Sequence, residues 1–294
     1  MANPPELAVI IVSYNTRDLL QRAIASLQTS LHAHGPSHAR IIVVDNASHD
    51  GSAEMVRRTF PDVELLEPGE NLGFARANNL ALRHLGFPHG DALPEAVWLL
   101  NPDTETVGNA PAQLLAHLRA HPDVAAVGPR LQYGDGRFQH GAFAFPGLLQ
   151  IAFDLFPLPA RLYETRLNGR YPRAWYEQGK PFDVDMVLGA ALMVRREAIQ
   201  QVGLLDEGYF MYVEELDWCR RMKQAGWRLQ LVPTALVIHH EGQSTRQFRE
   251  EMFRALWRSR LRYYTKFAPR PYVWLVRALV AVGLAWQKQR ARGG

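Results

Sequence analysis

Apolar positions in the first half of the chain fall into short runs separated by stretches with helical spacing. Leu7–Val12, Arg40–Val44, Val63–Leu66 and Ala96–Leu100 have the length of buried strands. Between the first two, Leu19, Leu20, Ala23, Ile24 and Leu27 recur every three to four residues, which predicts a helix over Thr16–Thr29. Further helices are predicted over Ser52–Phe60, with Ser52 as N-cap, over Gly73–Leu85 and over Ala112–His121. Val124–Gly128, Val184–Arg195 and Leu229–Ile238 are later strand-like runs. Strand and helix in alternation predict an α/β fold, a mostly parallel sheet flanked by helices on both faces. Phe143 to Phe182 breaks the rhythm: it is rich in aromatics and prolines with weak periodicity, and reads as an irregular insertion.

Polar groups gather where the runs end. Asp45-Asn46 follows the second, Asn101-Pro102-Asp103 the fourth, and His239-His240 the last, while Glu214-Glu215-Leu216-Asp217 follows Val184–Arg195. Ligands of open α/β sheets bind beyond the carboxyl ends of the strands, so these stations predict one shared site with a metal and a phosphorylated ligand. Each also has a plain structural explanation. Asp45 can cap the following turn, and Asn101-Pro102 can start an Asx turn. Acids at the start of a helix running from Glu214 to Gln224 gain about 0.3–1 kcal/mol from its dipole, and Asp217 can pair with Arg221. The aromatic stretch Tyr209–Val213 ahead of them favours a raised carboxyl pKa, the property of a general base. Asp103 is placed to bind a hard cation, with Glu105 a weaker second ligand. Asn71-Leu72-Gly73-Phe74 through Asn78, at a helix start, suits a phosphate or ribose.

Charge adds an asymmetry. Twelve Lys and Arg against two Glu lie in Arg246–Gly294, leaving 21 basic and 27 acidic residues in the body. The basic segment favours an anionic partner, nucleic acid or membrane surface. The single cysteine, Cys219, excludes an intrachain disulfide and reads as a packed small side chain. The N-terminus shows no signal peptide.

With these residues together, the chain resembles the family 2 glycosyltransferases of GT-A fold, in the rhamnosyltransferase-like branch. The order of motifs from Leu7 to Thr245 carries the resemblance. Ile10 to Val12 with Ser13-Tyr14-Asn15 is similar to the first strand of the nucleotide site, and Asp45-Asn46 to the base-binding segment. Asn71, Gly73, Arg76 and Asn78 match the loop beside the nucleotide. Asn101-Pro102-Asp103 stands in place of an Asp-X-Asp metal motif, departing from it at Asn101. Gly189-Ala190 resembles the floor of the sugar site, and Glu214-Glu215 the catalytic acidic pair, with Glu in place of Asp at the second position. The spacing from His239 to Gly242 and Ser244 matches the metal-binding histidine better than His240 does.

The resemblance implies an inverting transfer from a nucleotide-diphosphate sugar, with dTDP-L-rhamnose the favoured donor and a hydroxyl of a glycan or polyprenyl-linked glycan the acceptor, in cell-surface polysaccharide synthesis. It implies Asp103 and His239 on Mg²⁺ or Mn²⁺, and Glu215 as base beside Glu214 and Asp217. Residues 1–245 are then the transferase domain, with the acceptor-side insertion at about 143–182. Residues 246–294 form a basic helical segment, expected either at an anionic membrane surface or packed on the domain. That implies a cytoplasmic protein peripheral to the inner face of the cell membrane, with no nucleic-acid partner. A nucleotidyltransferase would need a Gly-rich basic loop after the first strand, and a dinucleotide enzyme a Gly-X-Gly-X-X-Gly; neither is present. A transferase of another UDP- or GDP-sugar, or an inactive nucleotide-sugar or RNA-binding relative, remains the alternative.

Overall fold

The computed structural model describes residues 4–240 and 249–293. The expected Glu241-to-Thr245 motif and the 245/246 boundary therefore lie outside the described residues.

The first half lays down β1 (Leu7–Ser13), α1 (Arg17–His34), β2 (Ala39–Asp45), α2 (Ser52–Thr59), β3 (Glu64–Leu66), α3 (Gly73–His84) and β4 (Ala96–Leu100). Then come β5 (Thr104–Val107), α4 (Ala110–Ala120) and β6 (Val124–Gln132), followed by short β7 (Phe138–Gln139) and β8 (Ala142–Phe143). The insertion holds α5 (Leu148–Leu155) and α6 (Arg173–Glu177). The chain closes with β9 (Phe182–Val184), β10 (Met186–Val187), β11 (Ala191–Arg195), α7 (Arg196–Val202), α8 (Glu214–Gln224), β12 (Arg228–His239), α9 (Arg249–Phe267) and α10 (Arg270–Gly293).

The main sheet has the order β3-β2-β1-β4-β11-β6-β12-β5. β3, β2, β1, β4, β6 and β12 run one way; β11, between β4 and β6, and the edge strand β5 run the other. The expected mostly parallel α/β sheet is thus present, with its parallel strands ending on one edge. Alternation along β1 sorts two cores: Leu7, Val9 and Ile11 join Leu20, Ile24 and Leu27 of α1, while Ala8, Ile10 and Val12 join Ala77, Ala81 and Leu82 of α3.

Two local expectations change. Ser52 is the first helical residue rather than the N-cap; Gly51, at φ 83°, holds the cap position, and Ser52 Oγ lies 2.5 Å from Asp50 Oδ1. Val184–Arg195 is not one strand, because the stretch 188–190 turns between β10 and β11. α9 lies against the body: Ser259 Oγ donates to the Met211 carbonyl at 2.8 Å, and Arg262 and Lys266 hold Asp206. Burial raises the Asp206 pKa, but these two cations outweigh it and bring it down to about 2.

Candidate active site

Asp45, the last residue of β2, stands in register with Ser13, the last of β1, and Asn46 N donates to the Ser13 carbonyl. The buried Ser13 hydroxyl is tied to Thr16 Oγ1 at 2.9 Å. Tyr14 is half-buried beside it, and Asn15 braces the other loop, its N donating to Ser48 Oγ and its Oδ1 accepting from His49 N. Asp45 Oδ2 accepts from Ser48 N at 3.0 Å, the turn-capping role, whereas Oδ1 is buried without a partner. One carboxylate therefore caps and still offers an acceptor.

Asn46 reaches the next loop, donating through Nδ2 to the Gly73 carbonyl at 3.2 Å. Asn71 Oδ1 accepts from Gly73 N, and Asn78 turns inward to the Phe74 carbonyl. Arg76 is exposed, 3.8 Å from Glu70. At Gly73 (φ 73°) an added Cβ would overlap the carbonyl of Phe210, which accepts from Phe74 N at 2.8 Å. This contact brings the stretch before the acidic cluster against the loop.

Asp103 lies on the short crossing from β4 to β5. Since β5 pairs antiparallel with β12, Thr104 faces His239, and His240 N donates to the Asp103 carbonyl. Asp103 and His239 are 3 % and 5 % exposed, with His239 Nε2 3.4 Å from Asp103 Oδ1, an oxygen lacking any hydrogen-bond partner. His240 is instead engaged by Glu105 at 2.8 Å, and Glu105 also meets Arg22 at 3.4 Å. The structure separates the two histidines, His239 beside Asp103 and His240 on Glu105, and takes Glu105 away from the pair. An unpartnered carboxylate oxygen beside an imidazole nitrogen is a fitting hard-cation donor set. Among the described residues no third His, Cys, Asp or Glu joins it, so such an ion would draw its other ligands from substrate and water. Asn101 anchors the crossing by donating its N–H to the Ala190 carbonyl.

Glu214 and Glu215 open α8. A Cβ on Gly189 would touch the Glu215 side chain. Burial drives both carboxyl pKa values up, and at Glu214 the neighbouring Glu215 raises it further. Asp217 is placed apart from this pair. Its buried carboxylate accepts from Tyr209 Oη (3.1 Å), Arg221 Nε (2.7 Å) and Lys266 Nζ (2.6 Å), joining α8 to α9. Cys219 is buried, its thiol pushed up to about 12 by burial, and has no nucleophilic setting.

Two features single out this edge. Among the described residues, the side-chain carboxylate oxygens buried without a hydrogen-bond partner belong to Asp45, Asp103, Glu214 and Glu215. Leaving a buried acceptor unpaired costs about 1–3 kcal/mol, so four of them along this edge make it the candidate ligand site. The non-glycine residues with left-handed backbone there are Asn15, Ala47, Tyr212 and Val213. Each costs on the order of 1–3 kcal/mol, and the last two aim the first turn of α8. Sequence reasoning missed Phe210 as the partner of Gly73. It also missed Gln139, whose amide lies 3.1 Å from His239 Nδ1 on a two-residue strand without periodic signal.

Residues 8–203 match the family model described as Glycosyl transferase family 2. Over 248 residues the chain is 34% identical to the N-acetylglucosaminyl-diphospho-decaprenol L-rhamnosyltransferase of Mycobacterium tuberculosis, covering 81% of this chain and 77% of that protein. Over 270 residues it is 24% identical to rhamnosyltransferase WbbL of Escherichia coli K12, covering 88% and 92%. The mannosyltransferase PcManGT from Pyrobaculum calidifontis, solved in complex with GDP-Man and Mn²⁺, superposes with a TM-score of 0.54 at 18% identity, covering 97% of this chain and 81% of that one. That likeness shows a shared fold, the GT-A type.

Proposed function

This chain belongs to glycosyl transferase family 2, and on that premise we propose that it transfers L-rhamnose from dTDP-L-rhamnose, with inversion, to a hydroxyl of a polyprenyl-diphosphate-linked N-acetylglucosamine. The observation that carries the reading is the set of unpartnered carboxylate oxygens at Asp45, Asp103, Glu214 and Glu215.

Asp45 Oδ1 accepts the ring N–H of thymine while Ser48 N holds its other oxygen in place. Asn15, Asn46, Asn71 and Gly73 form the walls around the nucleotide. Asp103 and His239 would hold a divalent cation, Mg²⁺ or Mn²⁺. When bound, the ion neutralises charge growing on the leaving diphosphate. The Gln139 amide nitrogen stands 3.1 Å from His239 Nδ1; turning that amide to put its oxygen there would let Nδ1–H donate to it and leave the Nε2 lone pair beside Asp103.

Glu215, partly open and packed against Gly189, removes the proton of the acceptor hydroxyl. The hydroxyl oxygen bonds to C1 as the C1–O bond to the diphosphate breaks, and the electron pair leaves with the diphosphate. The raised pKa brings this carboxylate nearer to the working pH, where a positioned base is worth about 10²–10⁴-fold. Glu214, more deeply buried, retains its proton and spares the site a second unpaired negative charge. Asp217 positions the pair by fastening α8 to α9. Gly189 and Ala190 floor the sugar, and the outward apolar face of α10 rests on an anionic membrane surface where such an acceptor resides.

The test is transfer itself. Purified protein is incubated with dTDP-rhamnose, UDP- and GDP-sugars and a short-chain prenyl-diphosphate-linked N-acetylglucosamine, and products are read by mass spectrometry. A single deoxyhexose added from dTDP-rhamnose supports the proposal. Nucleotide binding without transfer from any donor overturns it in favour of a binding relative.

A further inference from the structure

We propose that the elbow between α9 and α10 is the binding site for the prenyl-diphosphate portion of the acceptor, with Arg220 as its anion contact; this rests on the transferase reading above.

The elbow residues Phe267 to Pro269, the bend at Phe145-Pro146 and helix α8 line an open pocket of about 230 Å³. Its walls are aromatic, with Phe145, Tyr263, Phe267 and Tyr272 among them. Pockets for whole small ligands run from about 300 to 1,000 Å³, so this cavity takes a segment of a longer molecule. Burial raises the pKa of Tyr263 beyond its ordinary value, so that wall is neutral at any physiological pH.

Into this apolar space comes one cation. The Arg220 guanidinium lies over the Phe145 ring, 4.7 Å from its centroid, and its Nε is buried without a hydrogen-bond partner. Its neighbours are all engaged: Arg221 by Asp217, Arg260 by Asp154, Arg262 and Lys266 by Asp206. No described carboxylate lies within ion-pair reach of Arg220. An arginine stays charged at any working pH, so a guanidinium left unpaired against aromatic walls calls for an external anion.

Position narrows the class of anion. Arg220 is on α8, five residues beyond Glu215, about 7.5 Å of helix rise. Five residues also turn the helix by about 140°, so Arg220 and the proposed base are carried by one rigid element and project to different sides of it. On the other side, α10 leaves the elbow and presents Trp274 and Leu275 outward, 69 % and 58 % exposed. A prenyl chain lying along the aromatic wall would lead from that exposed apolar face to Arg220. An aliphatic chain with a diphosphate head satisfies the walls and the cation together.

Calorimetric titration with farnesyl diphosphate, farnesol and inorganic pyrophosphate tests this on the full chain. Farnesyl diphosphate is expected to bind at least about tenfold tighter than either half alone. Arg220→Gln should weaken it at least about tenfold, and Ala268→Trp, which fills the cavity and keeps the cation, should do likewise, while both variants bind dTDP as the wild type does. Unchanged farnesyl diphosphate binding in Arg220→Gln, pyrophosphate binding equal to that of farnesyl diphosphate, or a parallel loss of dTDP affinity overturns the site. Intact farnesyl diphosphate binding with no donor hydrolysis would sink the transferase reading and leave this cavity standing. Transfer to the lipid-linked acceptor that is indifferent to both variants would sink only the cavity.

Discussion

Gly73 packs its Cα against the carbonyl oxygen of Phe210, the same oxygen that Phe74 N reaches at 2.8 Å. The loop next to the proposed nucleotide and the stretch leading into Glu214 and Glu215 are thereby one unit. A side chain at Gly73 would clash there and would also occupy left-handed backbone, which costs about 1–2 kcal/mol for an L-residue. Gly73→Ala is therefore expected to lower dTDP affinity and turnover together, each by about tenfold or more. Calorimetry and initial rates decide it, and wild-type values for both would show that the two segments act separately.

The acidic pair gives a split result by position. Glu215→Gln keeps size and hydrogen bonding but accepts no proton, so kcat should fall by about 10²–10⁴ with dTDP affinity unchanged. Glu214→Gln should lose less. If Glu214→Gln is the dead variant and Glu215→Gln stays active, the base has been assigned to the wrong member.

Stability reports on the same pair. Glu214 has a folded pKa raised above the ordinary 4.5, so the folded protein binds its proton more tightly than the unfolded chain does. Its favourable contribution is complete below that value and is lost as pH rises toward the folded pKa. Glu214→Gln removes this loss. The variant should melt at higher temperature than the wild type at pH 7, with the gain shrinking as pH falls to about 4.5. A gain independent of pH would mean that ionisation of Glu214 is not what destabilises the wild type.

Much of this arrangement was legible because strand ends carry their chemistry in adjacent residues. Asp45 follows a run apolar on both faces, and α8 begins at Glu214 and stops at Gln224 as its acids and Gly226 announce. Direction was not legible. β11 is buried on both faces, so its composition cannot tell a parallel strand from the antiparallel one that puts Ala191 opposite Leu100. β5 was missed because Thr104–Val107 is only four residues long and three of them are polar. The Gly73–Phe210 contact joins positions far apart in sequence, and only the fold brings them together.

Metal binding can be read apart from turnover. Asp103→Ala and His239→Ala each remove half of the donor pair, so Mn²⁺ affinity, followed by electron paramagnetic resonance in the presence of dTDP, should fall about tenfold or more for each. Asp103→Ala should also abolish transfer. Full activity in excess chelator would remove the ion from the reaction.

Asp45 predicts which bases enter. A carboxylate acceptor pairs with a ring N–H, so thymidine, uridine and guanosine diphosphates should bind better than cytidine or adenosine diphosphate. Asp45→Ala should weaken dTDP about tenfold and leave CDP nearly unchanged, flattening the preference. Equal binding of all five nucleotides by the wild type would take Asp45 out of this role.

The C-terminal helix is apolar on two sides, and protein covers one of them. Val273, Val276 and Val280 are buried, and Gly283 packs on Leu155 of α5. Outward stand Trp274, Leu275 and Val282, the last 60 % exposed, with Ala278, Ala281 and Ala285 between them and Arg270 and Arg277 alongside. No described helix is long and apolar enough to cross a membrane. An apolar stripe with cations at its margin instead suits the boundary of headgroups and acyl chains, held by lipid contact and by attraction to anionic lipid. The full-length protein should therefore sediment with anionic vesicles, less with neutral ones, and less again at high salt. Because these side chains already face outward, Trp274→Asp with Leu275→Asp should abolish sedimentation while leaving the melting temperature and donor hydrolysis near wild type. If the double variant still sediments like the wild type, the outward face of α10 is not the membrane contact, and the basic charge alone must account for any association.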